Sequence, residues 1–247
     1  MIDLFSLSGK NILVTGGSSG IGQQIAITTA SFGATVTIVG RDEARLQETL
    51  KLMPVGNHKL VVADLTKKAE MQLIDLSQKF DGVVFNAGIV EYAPVKFISE
   101  EKIKKIFDIN FNSAVLLSQH LLKSKALNKK GSLVFISSIS SKLGVGGTAL
   151  YASSKAALGA FSKVVATEVA RQGIRSNSIC PGIVSTPMTE QAKSVTSGSE
   201  MDEQAKAYPL GYGTTVDVSG LVVYLLSDAS KWMTGSDLIL DGGLTLL

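Results

Sequence analysis

Short apolar, β-branched runs alternate along the chain with longer stretches in which apolar positions recur at helical spacing. The short runs are NILVTG (11–16), ATVTIVG (34–40), HKLVVAD (58–64), DGVVFNAG (81–88), GSLVFISS (131–138), IRSNSIC (174–180) and SDLILDG (236–242). The helical stretches lie near 20–32, 42–52, 67–78, 99–126, 150–172 and 214–228. The apolar runs are nearly continuous, as strands covered on both faces require. The pattern predicts a single α/β domain over 1–247. Its core is a doubly wound, seven-stranded parallel sheet with helices on both faces and right-handed crossovers.

One segment breaks the alternation. Residues 186–213, TPMTEQAKSVTSGSEMDEQAKAYPLGYG, are polar, contain two prolines and show weak periodicity. They read as a substrate lid, or alternatively as a plain insertion.

Composition narrows the class. A hydrophobic fraction of 45% and a charged fraction of 18% suit a globular protein with a sizeable core. The net charge of +3 is scattered and does not indicate nucleic acid. No apolar run approaches the ~18 residues of a membrane span. The N-terminal MIDLFSLSGK lacks the pattern of a signal peptide. The single cysteine, Cys180, precludes an internal disulfide and fits a reducing cytoplasm, with the thiol read as a small core residue. His58 and His120 have no partners at metal spacing, so no metal site is expected.

The chemistry concentrates in a few motifs. TGGSSGIG, Thr15 to Gly22, follows the first strand and opens a helix. Gly16, Gly20 and Gly22 allow a tight turn and close approach of a ligand, and the helix start offers free N–H groups to a pyrophosphate. The spacing departs from the common G-x-G-x-x-G fingerprint of Rossmann-type sheets. The same residues also match the G-x-S-x-G elbow of hydrolases, with Ser18 as nucleophile, but no histidine follows a late strand and that pattern leaves Gly22 unexplained. Further on, Tyr151 and Lys155 of YASSK stand one helical turn apart. A free tyrosine titrates near ~10, and a neighbouring ammonium favours its phenolate, which suits proton transfer. Alone, that pair also fits an ordinary surface helix.

TGGSSGIG, NAG (86–88), Ser138, YASSK and PG (181–182) together, in this order, resemble the short-chain dehydrogenase/reductase family, in particular its compact members. MTGSDLILDGG (233–243) is similar to the end of the 3-oxoacyl-[acyl-carrier-protein] reductases within it. The resemblance implies a Rossmann-type fold, an enzyme and a catalytic tetrad. In that tetrad Tyr151 is the acid/base, Lys155 its partner, Ser138 binds the substrate carbonyl and Asn110 holds water. Asn112 is the other candidate for the asparagine. Ser137 is expected to face away from Ser138 by strand alternation. Phe85 departs from a family asparagine and reads as strand packing.

The resemblance also implies a nicotinamide cofactor. It would be held by Gly16, Ser18, Ser19, Gly20, Ile21 and Gly22, by Asp64 and Leu65 near the adenine, and by Asn86, Ala87 and Gly88. Tyr151, Lys155, Pro181, Gly182, Ile183 and Thr186 would hold the nicotinamide end. The position that carries an acid in NAD-preferring members is Gly40 here, followed by Arg41. Arg41 suits a 2′-phosphate, so NADP(H) is expected over NAD(H). Asp42 reads as the N-cap of the next helix.

The expected substrate is a ketone or secondary alcohol, foremost a 3-oxoacyl thioester carried on an acyl-carrier protein. A sugar, steroid, polyol or quinone-like ketone is the alternative, and a non-catalytic NADP sensor or scaffold is a reading from another class. Asn128, Lys129, Lys130 and Arg171 are candidates for a basic patch near the site mouth that meets an acidic carrier, or else are solvated ends. By resemblance the chain forms a homotetramer through its two long helices, with Ala152, Ala156, Ala157, Gly159 and Ala160 suited to close packing.

Overall fold

All seven expected strands form, and all pair in parallel, in the order β3-β2-β1-β4-β5-β6-β7. The computed structural model describes residues 3–189 and 205–246. The strands are β1 (Asn11–Thr15), β2 (Thr35–Gly40), β3 (Lys59–Val62), β4 (Phe80–Phe85), β5 (Leu127–Ile136), β6 (Arg175–Pro181) and β7 (Asp237–Leu240). The main described helices are α1 (Gly20–Ser31), α2 (Glu43–Leu52), α3 (Lys68–Met71), α4 (Glu100–Phe107), α5 (Ser113–Lys123), α6 (Ala149–Val169) and α7 (Thr215–Leu226).

Side-chain alternation along the strands builds two cores, one on each face. Ile12, Val14, Ile38, Val84 and Val134 pack with Ile25, Ala26, Val222 and Leu226 of α1 and α7. Leu13, Val39, Val83 and Leu133 point the other way, toward Leu117, Leu121, Leu158 and Val165 of α5 and α6. Phe85 belongs to this second core and stacks on Phe135, centroids 4.4 Å apart and 6° from parallel. The packing role expected for it is the one it has.

β6 is polar yet fully buried, and its side chains pair with backbone. Arg175 donates to the carbonyls of Leu225 and Ser227 at 2.7 and 3.3 Å and to Ser230 Oγ at 2.8 Å. It thereby closes the C-terminal end of α7, whose last carbonyls lack intrahelical partners. Cys180 is buried, as expected of a core residue.

Three expectations change. The helix foreseen over 67–78 stops at Met71. Asp75 accepts from the Ser77 N–H at 2.9 Å, and this local turn competes with helix. The helix foreseen over 99–126 is interrupted by a π-turn at Asp108–Asn112. Finally, β5 begins at Leu127 rather than 131, with irregular register between Phe80 and Gly82 of β4.

The sheet order fixes the location of the site. From β1 the chain builds outward to β3 and then returns to place β4 on the other side of β1. The loops leaving β1 and β4 diverge there and open a crevice at the carboxyl ends of the strands.

Candidate active site

A cleft of about 880 Å³ occupies that crevice. Of the expected site residues, all but Gly22 and Asn110 line it, and those two support it from behind. Neither histidine lines it. His58 instead accepts from the Val36 N–H at 3.1 Å, so the hydrolase reading of Ser18 has no base.

The glycine loop owes its shape to close backbone contacts. Gly16 has φ +68, and a Cβ there would lie 2.9 Å from Ala87 Cα. A Cβ on Gly22 would collide with the Gly16 carbonyl and with Asn86 Nδ2. Asn86 Nδ2 donates to the Thr15 and Gly16 carbonyls, both at 3.2 Å, so Asn86 braces the loop as well as lining the cleft. Ser19 is the N-cap of α1, but its side chain makes no capping bond and no acid occupies the first turn. The positive end of a twelve-residue helix therefore has N–H groups to offer an anion in the cleft.

At the β2–β3 end, Gly40 closes β2 and Arg41 follows on the cleft wall. Asp42 is the N-cap of α2, accepting from the Arg45 N–H at 3.1 Å and pairing with Arg45 Nε at 3.4 Å. Asp64 and Leu65 line the same end. Burial pushes the Asp64 carboxyl upward, but hydrogen bonds from Thr66 and the charges of Arg41 and Lys67 outweigh it and hold it below its usual value.

The opposite end holds the residues expected to form the tetrad. Ser138 leaves β5 and Tyr151 sits on the first turns of α6, both on the cleft. Burial raises the Tyr151 phenol above its usual pKa, opposed by a hydrogen bond with Ser138 and reinforced by Tyr92. The one-turn spacing in the sequence predicts that Lys155 lowers it. In the structure Lys155 Nζ lies 5.9 Å from the phenol ring centroid and donates to the Ile136 carbonyl at 2.8 Å. Lys155 is itself lowered to about 8 by burial, with Cys180 opposing. The protein alone thus keeps Tyr151 protonated, in the form that donates.

Asn110 is buried in the π-turn and clamps one residue of the β4 loop. Its Oδ1 accepts from the Ile89 N–H at 2.8 Å, and its Nδ2 donates to the Ile89 carbonyl at 2.9 Å and to Ser154 Oγ at 3.1 Å. Asn112 pairs with Asp108 on the surface, so of the two expected candidates Asn110 is the one that reaches the cleft wall. A π-turn here re-aims one side chain without ending the helix.

Three supporting residues escaped the sequence argument. Ser154 donates to the Tyr151 carbonyl at 2.7 Å and links it to Asn110. Ser137, expected to face away, donates to the Lys155 carbonyl at 2.7 Å and ties β5 to α6. Tyr92 lines the cleft near Tyr151. The YASSK motif contains Ser154, but nothing in its spacing distinguishes Ser154 from Ser153.

After β6, Pro181, Gly182, Ile183 and Thr186 line the cleft beside the tetrad. The Ile183 N–H donates to the Tyr208 hydroxyl at 3.2 Å. Most of the expected lid, 190–204, lies outside the described residues. Lys129 and Lys130 stand near the start of β5, six or more residues before its cleft end, which is about 20 Å along a strand. Arg171 follows α6 at the same far end, where Gly173 adjoins Lys130. Within one subunit this basic group is not at the site mouth. Among the described residues no group of His, Cys, Asp or Glu is arranged to hold a metal ion. No helix among them is long and apolar enough to cross a membrane.

Known proteins share this fold. Residues 16–245 match the family described as enoyl-(acyl carrier protein) reductase. The chain is 33% identical to the 3-oxoacyl-[acyl-carrier-protein] reductase FabG of Rickettsia conorii, over 99% of this chain and 100% of that protein. It superposes on a short-chain type dehydrogenase/reductase from Mycobacterium marinum with TM-score 0.90 and 32% identity, covering 99% of each chain. A structure assigned as an NAD(P)-dependent gluconate 5-dehydrogenase from Beutenbergia cavernae, with bound NADP, gives TM-score 0.91 and 30% identity over 99% of this chain and 100% of that one. The parallel sheet, the braced glycine loop and the Asn110, Ser138, Tyr151 and Lys155 cluster are carried on a chain similar to these proteins over its whole length. It is an oxidoreductase of the short-chain dehydrogenase/reductase family, acting on keto or CH–OH groups with a nicotinamide cofactor.

Proposed function

We propose that this chain is an NADPH-dependent reductase of 3-oxoacyl thioesters. The observation that carries the reading is where charge lies in the cleft. Arg41, Asp42, Glu43, Arg45 and Asp64 line the β2–β3 end. Apart from Lys155, the described lining around and beyond Ser138 and Tyr151 is uncharged, and Ile89, Val90, Tyr92, Ile139 and Met188 make it largely apolar. A neutral acyl chain suits such a wall, whereas a sugar acid brings a carboxylate that needs a partner. The similarity to FabG supports the same substrate class.

The cofactor fits the cleft at both ends. The uncapped start of α1 and the tight glycine turn that leads into it suit a pyrophosphate. Gly40 offers no acid to a ribose 2′-OH, while Arg41 is placed for a 2′-phosphate. When bound, the cofactor supplies the hydride equivalent. The protein's part is to bind, orient and donate. Ser138 Oγ and the Tyr151 phenol face the space where a substrate carbonyl oxygen would sit. The phenol, held protonated by burial, gives its proton to that oxygen as negative charge develops. Lys155 brings positive charge to the buried end of the site. Asn110 holds the Ile89 backbone, and with it part of the cleft wall.

A keto-sugar is the second reading, supported by the assignment of the Beutenbergia relative and by the hydroxyls of Ser140, Thr186 and Thr189 on the cleft. The test is NADPH oxidation with acetoacetyl thioester, free and carrier-linked, beside 5-ketogluconate, each repeated with NADH. Faster turnover of the thioester with NADPH supports the proposal. Preference for 5-ketogluconate replaces its substrate, and preference for NADH overturns its cofactor.

We also infer a homotetramer. Ala152, Ala156 and Ala160 recur every fourth residue on the outer side of α6, with Ala156 and Ala160 exposed, which suits close approach of another helix. Gly159 instead serves the fold, since a Cβ there would lie 2.9 Å from Asp237 Oδ1. A monomer in light scattering would refute the assembly.

A further inference from the structure

Among the described residues, three hydrogen bonds stitch the loop from Pro181 to Thr186 to residues 205–213. Two are backbone bonds: Gly213 N–H to the Ile183 carbonyl and Ser185 N–H to the Gly213 carbonyl, both 3.0 Å. The third joins the Ile183 N–H to the Tyr208 hydroxyl at 3.2 Å. Only this third bond depends on the identity of a side chain.

The seat of Tyr208 is built to hold the ring. Tyr208 is 5% exposed and meets Tyr212 edge to face, centroids 5.1 Å apart. A Cβ on Gly182 would lie 2.9 Å from Tyr208 Cε1, so a residue with no side chain occupies the contact. Gly242, at φ +61, flanks the ring, and a Cβ there would lie 3.6 Å from Tyr208 Cδ1. Its carbonyl accepts from the Leu210 N–H at 3.0 Å. The phenol therefore reaches Ile183 from a fixed position, while Ile183 itself faces the cleft beside the tetrad.

We propose that Tyr208 is a positioning residue for the nicotinamide half of the cofactor, holding the Ile183 amide and its loop in the arrangement that receives it. The role rests on the NADPH reading of the cleft. A loop already ordered binds without the cost of ordering, and affinity falls by the fraction of time the loop spends elsewhere. The effect is local. Arg41 and Asp64 stand at the other end of the cleft and gain nothing from Tyr208.

Calorimetric titration of the wild type and of Tyr208→Phe with NADPH and with 2′,5′-ADP tests this. The variant keeps the ring and loses one hydroxyl, and 2′,5′-ADP lacks the nicotinamide half. NADPH should bind about fivefold more weakly to the variant, the scale of one neutral hydrogen bond, with 2′,5′-ADP unchanged. The Michaelis constant for NADPH should rise in step while that for the ketone does not. Unchanged or tighter NADPH binding overturns the role of Tyr208. Equal weakening of both ligands also overturns it, because it assigns the residue to the fold. A wild type that binds neither ligand removes the cofactor reading and this role with it.

Discussion

The ammonium of Lys155 donates a 2.8 Å hydrogen bond to the carbonyl of Ile136, inside the protein and 5.9 Å from the Tyr151 ring centroid. Burial lowers this lysine from 10.5 to about 8. A lysine whose pKa falls on folding destabilises the fold wherever the folded protein must keep it charged. The penalty is full below pH 8, shrinks as pH rises from 8 toward 10.5, and vanishes above. At pH 7 it is on the order of 3 kcal/mol. Losing the bond to Ile136 offsets about 1 kcal/mol of that. Lys155→Met should therefore be inactive yet more stable than the wild type at pH 7, with the gain lost by pH 10.5. Urea titrations at both pH values check the sign.

Burial holds the Tyr151 phenol above its ordinary pKa, so the donor form persists through neutral pH. Ketone reduction should be flat from pH 6 to 7 and fall as Lys155 and then Tyr151 lose their protons in alkali, while alcohol oxidation should climb with pH. Tyr151→Phe should lower turnover by at least about a thousandfold, near the upper part of the range for a lost acid catalyst. NADPH binding by fluorescence should persist. Near-normal turnover in this variant would refute the assigned mechanism.

Asn110 satisfies both backbone groups of Ile89 from a buried position. Asn110→Leu keeps much of the volume and strands an N–H and a carbonyl. It should cost about 3 kcal/mol of stability. It should also lower kcat more than it raises the KM for NADPH, because the displaced segment walls the substrate end. Denaturant midpoints and steady-state kinetics on one preparation read both effects.

On the proposed NADPH reading, Arg41 and Gly40 carry the cofactor preference. Arg41→Ala should weaken NADPH by about tenfold or more, the scale of a charge-assisted hydrogen bond, and leave NADH nearly unchanged. Gly40→Asp should favour NADH. A Cβ at Gly40 would lie 3.3 Å from Leu46 Cδ2 and 3.5 Å from Ser18 Oγ, a fit that needs only a small shift. Equal loss of both cofactors in Arg41→Ala would show that the guanidinium reads no 2′-phosphate.

Arg175 ends α7 from within β6. Arg175→Met should destabilise by about 1 kcal/mol, because three charge-assisted hydrogen bonds are lost while the Ser132 and Ser230 hydroxyls still donate to the Leu225 carbonyl and Ser230 to that of Ser227. Arg175→Lys should recover only part, since an ammonium lacks the planar fork that spans two carbonyls and a hydroxyl. Thermal unfolding of the three proteins gives the order.

Some of this molecule was legible in its sequence because the signal is local. Six apolar runs and the mixed run IRSNSIC, separated by helical patterns, specify a parallel sheet, and β-branched runs covered on both faces have few alternatives. Gly16 and Gly22 were legible because a crowded turn excludes side chains. Asp42 was legible as a cap because capping is a contact between near neighbours. The order of the motifs then pointed to Ser138, Tyr151 and Lys155, which the fold brings to one end of the cleft.

The tertiary structure decided what depends on distant partners. Periodicity ran the helix straight through Asn110, because a π-turn made to reach Ile89 and Ser154 leaves no local pattern. Spacing suggested that Lys155 lowers Tyr151, but burial governs both groups, and burial is a property of the whole fold. The basic residues 129, 130 and 171 are cationic in the sequence wherever they lie, and only strand direction places them away from the cleft. The Tyr208 bond to Ile183 joins residues 25 apart. Sequence determined the elements and their chemistry through local sterics. Packing decided which groups meet, which stay charged and which face the cleft, because those outcomes depend on neighbours that only the folded chain supplies.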